Sequence, residues 1–389
     1  MKFVLRFSRK TSSVAFIPEI DGMRFFAIAT VVIFHLNTAF AREIGLTLEK
    51  SVDLLGGKDT FSLGAVINRL DLGVKVFFAL SGFILAVPFL NALKEDKKID
   101  IFSYFKRRLT RLEPPFIISL LMFSLVHIIV FHEKIGLVMK HFLVGLGYSH
   151  SIVFGEPNFI NPVTWSLETE AQFYIIVPLL FVLLRLFKKP TLKITLLILI
   201  FSGSMIFKNI YSTNGYIGTS VLAYFVNFLV GIFFASFYVN NKSYFEISKR
   251  VIFDLLGVLS IFGMFIFYKP QAQIQNILLF NLSILSFFFA VFLGKYHNRF
   301  FVNKWIYTIG GMCYSIYLLH YAFFHLLVKF SKQLALTSDY GVNLGIQIII
   351  GLPIILAISI VFFTLVERPC MNPEWPSVFK KRLYKTFRN

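Results

Sequence analysis

The sequence predicts an all-α polytopic membrane bundle of about ten spans with both termini cytoplasmic, and three observations predict it. Hydrophobic residues make up 57% of the 389 and charged residues only 15%, at a mean hydropathy of +0.73. So much apolar surface exceeds what a soluble core can hide. Apolar runs repeatedly reach the roughly 20 residues that a helix needs to cross about 30 Å of hydrocarbon, and the period-2 alternation of barrel strands is absent. Most of the 39 Lys and Arg fall in alternate connections, on one side of the expected membrane, which is the positive-inside pattern. The formal charge of +19 therefore reports topology and gives no reason to expect nucleic acid.

Taken in order, spans are expected near residues 21–40, 72–92, 115–132, 165–184, 194–210, 217–239, 251–268, 274–294, 305–328 and 343–366. They form one transmembrane domain over 21–366, flanked by a cytoplasmic tail at 1–20 and a basic cytoplasmic tail at 367–389. Two outer connections, 41–71 and 133–164, hold enough Gly, Asn, Pro and polar residues to cap an outer cavity. No small-residue cleavage pattern follows the first span, so a removable signal peptide is not expected. The two cysteines, Cys313 and Cys370, supply neither a disulfide framework nor a thiolate metal site, and no metal is expected. Walker, Rossmann and HExxH patterns are missing, and no inverted repeat of the kind transporters carry is visible.

Ionisable groups within a span cost about 2.5–3.5 kcal/mol each on insertion scales, which makes each a candidate for a site. The first span carries Arg24 and His35, eleven positions apart. At about 100° per residue both project from one face, about 16 Å apart along the axis. A long ligand with an anionic head at the cytoplasmic end and a reactive end at the imidazole fits that separation, and coenzyme A thioesters have this shape. Lys106, Arg107, Arg108 and Arg111 cluster before Pro114-Pro115, where the prolines are expected to end the basic segment at the membrane surface. Arg108 and Arg111 share a face if the segment is helical, and guanidinium forks suit phosphates.

The fourth span opens on Asn161-Pro162-Val163-Thr164-Trp165-Ser166-Leu167-Glu168-Thr169-Glu170. Glu168 reads as a first-turn residue favoured by the helix dipole. Glu170 lies at the depth of His35, so the two are expected to meet, with the carboxylate fixing the imidazole tautomer. In the second span Lys75 and Ser81-Gly82 interrupt the apolar run; the glycine permits close approach of another helix or of an acyl chain. The ninth span carries Tyr314, Ser315, Tyr317, His320 and Tyr321.

The stretches IDGMRFFAIATVVIFH (20–35), GVKVFFALSGFIL (73–85), FKRRLTRLEPPF (105–116), NPVTWSLETEAQFYIIVPLL (161–180), MCYSIYLLHYAFF (312–324) and VERP (366–369) occur together and in this order. Over nearly the whole chain they resemble acyltransferase family 3, membrane O-acyltransferases of bacterial surface glycans. The resemblance implies a multi-pass protein of the bacterial cytoplasmic (inner) membrane, with acyl-CoA, most often acetyl-CoA, as donor. It implies a glycan or lipid-linked sugar as acceptor, among membrane lipids. It puts the family's arginine and histidine on Arg24 and His35, its Arg-x-x-Arg on Arg108 and Arg111, its Ser-Gly-Phe on Ser81, Gly82 and Phe83, and its Trp-Ser-Leu with an acidic residue on Trp165, Ser166, Leu167 and Glu170.

Two positions depart from the family pattern: Ala171, where a second acidic residue is common, and Ala322, where proline is frequent. The expected roles are catalysis by His35 and Glu170, donor binding by Arg24, Arg108, Arg111, Ser81 and Gly82, and substrate binding by Trp165, Asp21, Tyr314 and His320. Some relatives append an extracytoplasmic esterase-like domain, so this chain is expected to act alone or with a separate extracytoplasmic transferase or esterase. A proton-coupled transporter or flippase of a polar lipid or sugar is the alternative, with Arg24, His35 and Glu170 as a proton relay.

Overall fold

The computed structural model describes residues 16–377 except 58, 60, 212–214, 247–248, 270–272, 335 and 373. Most of the tail expected over 1–20 and the end of the tail expected over 367–389 lie outside the described residues. Ten apolar helices build the bundle: α1 (Pro18–Glu43), α2 (Leu72–Lys94), α3 (Ile101–Ile129), α4 (Trp165–Leu186), α5 (Pro190–Tyr211), α6 (Val221–Asn240), α7 (Ile252–Phe267), α8 (Ile274–Leu293), α9 (Cys313–Ser331) and α10 (Tyr340–Phe362). Among the described residues, nine helical stretches are long and apolar enough to cross a membrane. The remaining helix, α7, has 16 residues, about 24 Å of rise.

Local signals set several helix ends. Pro18 begins α1, where its missing N–H loses nothing. Asp100 accepts from the Ser103 N–H to cap α3, and Asp339 accepts from Val342 to cap α10. The structure differs from the expected boundaries at two places. The basic run does stop ahead of Pro114-Pro115, but the prolines do not break the chain there; α3 runs unbroken through them, so Arg107, Arg108 and Arg111 sit on the same helix as the apolar span. The span expected over 305–328 is divided at Met312 into a short helix, Lys304–Gly311, and α9.

At the centre, α2 packs along the enclosed α6, and α1 lies against α2, α9 and the Lys304–Gly311 helix. The α2–α6 crossing is close because glycine faces backbone on both sides: a Cβ on Gly82 would run into the Phe228 carbonyl, and one on Gly231 into that of Ala79. Phenylalanine fills the space around it. Phe173 stacks on Phe228 with ring centroids 3.8 Å apart, and Phe83 lies against Phe234 and Phe288. The outer connections fold as short helices, among them Leu48–Leu54, Leu63–Asn68, Ile135–Leu146 and His150–Phe154.

Candidate active site

A cavity of about 430 Å³ enters the bundle among α1, α2, α3, α4 and α9, at the end that the charge pattern assigns to the cytoplasm. Four arginines, Arg24, Arg107, Arg108 and Arg111, line it together with three carboxylates, Asp21, Glu170 and Glu367. Arg24 donates to Asp21 Oδ1 at 2.5 Å, one turn away on α1. Arg108 lies over the Tyr104 ring, 3.7 Å from its centroid, and donates to the Tyr104 carbonyl. Tyr104 in turn donates its hydroxyl to the Tyr174 carbonyl, tying α3 to α4. Arg111 reaches the cavity with its Nε buried and without a hydrogen-bond partner. A guanidinium so placed is ready for an anion, since an unsatisfied buried donor carries a desolvation penalty that a bound phosphate oxygen would relieve.

The walls continue inward. Ser81 donates its hydroxyl to Glu170 Oε1, Tyr314 donates to the Leu112 carbonyl at 2.9 Å, and Glu367 accepts from the Ser315 N–H at 3.0 Å and from its hydroxyl at 2.5 Å. Glu367 closes a π-helical turn, Phe363–Glu367, that ends the last span; such turns occur often at functional sites. Tyr317 also lines the cavity. Its hydroxyl hydrogen-bonds Ser166 Oγ at 2.8 Å and donates to the Val163 carbonyl.

His35 is not among the residues lining this cavity. It lies beyond Tyr317, where its Nδ1 is 2.9 Å from Nε2 of the fully buried His320. His320 is one turn along α9 from Tyr317, with ring centroids 6.0 Å apart. The expected pairing of His35 with Glu170 is therefore not observed. Equal depth in the membrane does not bring two helices face to face, and α9 supplies the partner of His35 while Glu170 turns to Ser81 on α2.

Other expected residues also shift. Arg24, Arg108, Arg111, Ser81, Glu170 and Tyr314 all line the main cavity. Gly82 faces α6 and not the cavity, so it serves helix packing. Asp21, expected on the substrate side, is the ion-pair partner of Arg24. Trp165 lines a separate cavity of about 170 Å³ with Glu168, Thr169 and Gln172, and packs against Tyr224. Glu168 accepts from the Ser151 N–H at 2.9 Å, holding the outer segment onto α4. Lys75 pairs with Asp71 at 2.7 Å, and Tyr268 donates to the same carboxylate oxygen. Glu367 was not singled out from the sequence, although a carboxylate at the end of an apolar span is the signal that marked Glu170.

The fold and the cavity define a polytopic membrane protein with an arginine-lined cavity that reaches Tyr317, beyond which His35 and His320 pair. The chain belongs to acyltransferase family 3: the family model, described as an acyltransferase domain, matches residues 17–364. It is similar to the O-acetyltransferase OatA of Staphylococcus aureus, 27% identical over 337 residues that cover 80% of this chain and 51% of that protein. It is also similar to the peptidoglycan O-acetyltransferase OatA of Listeria monocytogenes, 25% identical over 349 residues that cover 82% of this chain and 50% of that protein. The chain thus spans about half the length of the curated relatives it matches. No solved structure matches it.

Proposed function

We propose that this protein is a membrane O-acetyltransferase of the bacterial cytoplasmic membrane, taking an acetyl group from cytoplasmic acetyl-CoA to a hydroxyl of a cell-envelope glycan or lipid-linked sugar. The observation that carries the reading is the cavity itself: four arginines line it together with Tyr317, whose ring lies next to the His35–His320 pair. Arg108 and Arg111 hold the donor's phosphates in this reading, with Arg24 held in place by Asp21 beside them. The pantetheine arm runs inward past Ser81 and Glu170, and the thioester arrives near Tyr317.

His35 acts as general base on the acceptor hydroxyl, which approaches from the outer side along the wall containing Trp165. The hydroxyl oxygen attacks the thioester carbonyl, its proton passes to the imidazole, and the carbon–sulfur bond breaks to release the coenzyme thiol, which takes up a proton. The names of the relatives, one of which specifies peptidoglycan, support an envelope glycan as acceptor. Mass spectrometry of envelope glycans from cells with and without the protein tests the reading. Loss of O-acetyl groups with the protein is the expected result. Unchanged acetylation, or accumulation of a substrate in proteoliposomes without thiol release, would replace the transferase by a transporter.

A further inference from the structure

The hydrogen bonds of His320 determine where the protons of His35 reside. His320 Nδ1 is 2.8 Å from the Tyr317 carbonyl and 3.0 Å from the Ile316 carbonyl. Carbonyl oxygens only accept, so Nδ1 of His320 carries a proton. In a neutral ring its Nε2 is then a bare lone pair. His35 Nδ1, 2.9 Å from that lone pair, must bring the proton for this bond, which leaves Nε2 of His35 unprotonated. His320 is neutral because it is fully buried and a buried cation needs a counter-charge. Tyr321 packs edge-on against the His35 ring, 5.3 Å between centroids, with His325 behind it at 4.8 Å, and among the described residues no carboxylate hydrogen-bonds either imidazole of the pair.

We infer that His320 is a positioning residue: it holds His35 in the tautomer whose Nε2 is free to receive the acceptor's proton, the part a carboxylate plays behind the histidine of a hydrolase triad. This inference rests on the proposed role of His35 as base. His320 accepts a hydrogen bond that becomes charge-assisted once His35 is protonated, and the helix carbonyls behind it prevent its ring from turning over. Substrate binding, the part expected of His320 from its position, is not what these contacts support.

The test compares His320→Leu, His320→Gln and His35→Ala in the full chain, reconstituted in lipid nanodiscs with acetyl-CoA and an N-acetylglucosamine oligomer, following thiol release. In His320→Leu, kcat is expected to fall by about a hundredfold or more while KM for acetyl-CoA stays within about threefold, since general-base contributions run about 10²–10⁴. His320→Gln restores an acceptor for the Nδ1 proton and is expected to recover kcat to within about tenfold of the parent. Wild-type kcat in His320→Leu, or equal losses in Leu and Gln variants of matched melting temperature, would overturn the inference even with His35→Ala inactive. An active His35→Ala, or no thiol release by the parent protein, would remove the underlying reading and the inference with it. Should the variants fail to fold, ¹⁵N-histidine spectra of the parent decide. Nε2 unprotonated and Nδ1 protonated at His35 is the expected pattern, and the reverse tautomer would overturn it.

Discussion

The inner and outer halves of the bundle treat their polar side chains differently. Toward the cytoplasm, Arg107, Arg108 and Arg111 line open space, and the Arg111 Nε is buried without a hydrogen bond. Toward the outside, Lys75 is tied to Asp71 and Tyr268, His35 to His320, and His141 to His150 at 2.6 Å, while the His127 Nδ1 and the His325 Nε2 are buried without a hydrogen bond. A half that leaves donors open is suited to receiving charge from a ligand. Side chains paired to one another, as His35 and His320 are, are suited to holding a reactive group in fixed geometry. In the proposed reading the arginine-lined cavity binds the donor and the paired imidazoles serve the chemistry, so substitutions in the two halves should differ in kind.

The largest effect is expected from His35→Ala. Acetyl transfer should fall by about 10²–10⁴-fold, with insertion and acetyl-CoA affinity retained, as read by single-turnover thiol release and by equilibrium binding. Loss of donor affinity in that variant would break the division between the halves. Next, Arg108→Ala and Arg111→Ala should each raise KM for acetyl-CoA by about tenfold, close to 1.4 kcal/mol of lost phosphate contact, with smaller changes in kcat. Arg111→Lys, which keeps the charge but not the planar fork, should recover only part of this. A fall in kcat at unchanged KM would move the arginines to the chemical step.

A smaller and purely structural effect is expected at the centre. Gly82→Val forces the α2–α6 crossing apart at the Phe228 carbonyl, destabilising the fold by about 1–3 kcal/mol. A lowered melting temperature with unchanged KM in the surviving fraction is the expected outcome.

The smallest effect concerns the outer cap. Burial holds the His141 and His150 imidazoles below the usual histidine value. Their contribution to stability is complete above the unfolded value of about 6.5 and is lost as pH falls toward the depressed folded values, because the unfolded state then binds more protons. Amide exchange over 135–160 should accelerate selectively as pH drops below about 6.5, and exchange that does not depend on pH there would contradict it.

Much of the fold was legible because hydropathy is a property of one helix at a time. The ten expected spans coincide with α1 to α10, and only the break at Met312 and the continuation of α3 through Pro114-Pro115 were hidden. The break follows Gly310-Gly311 within an otherwise apolar run, and the Thr110 carbonyl that Pro114 leaves without its helical partner accepts from Trp375 Nε1 at 2.8 Å, a residue far away in sequence. The arginines were legible for a similar reason: charge at the cytoplasmic end of a span stands out against lipid. Pairings between helices were not legible. His35 meets His320, and Glu170 meets Ser81, and these matches depend on the lateral order of α1, α2, α4 and α9, which depth and periodicity do not encode. Gly82 shows the same limit, since small residues admit either a ligand or a helix and only the neighbour decides.

The central claim is that the donor enters the arginine-lined cavity from the cytoplasm and that its acetyl group leaves on the other side. Sealed membrane vesicles of defined orientation test it directly, with acetyl-CoA added outside and acetylated glycan measured inside. Inside-out vesicles, which expose the cytoplasmic face, should consume acetyl-CoA and acetylate a trapped N-acetylglucosamine oligomer, and right-side-out vesicles should not. Equal consumption in both orientations, or acetylation only when donor and acceptor share a side, would contradict the account.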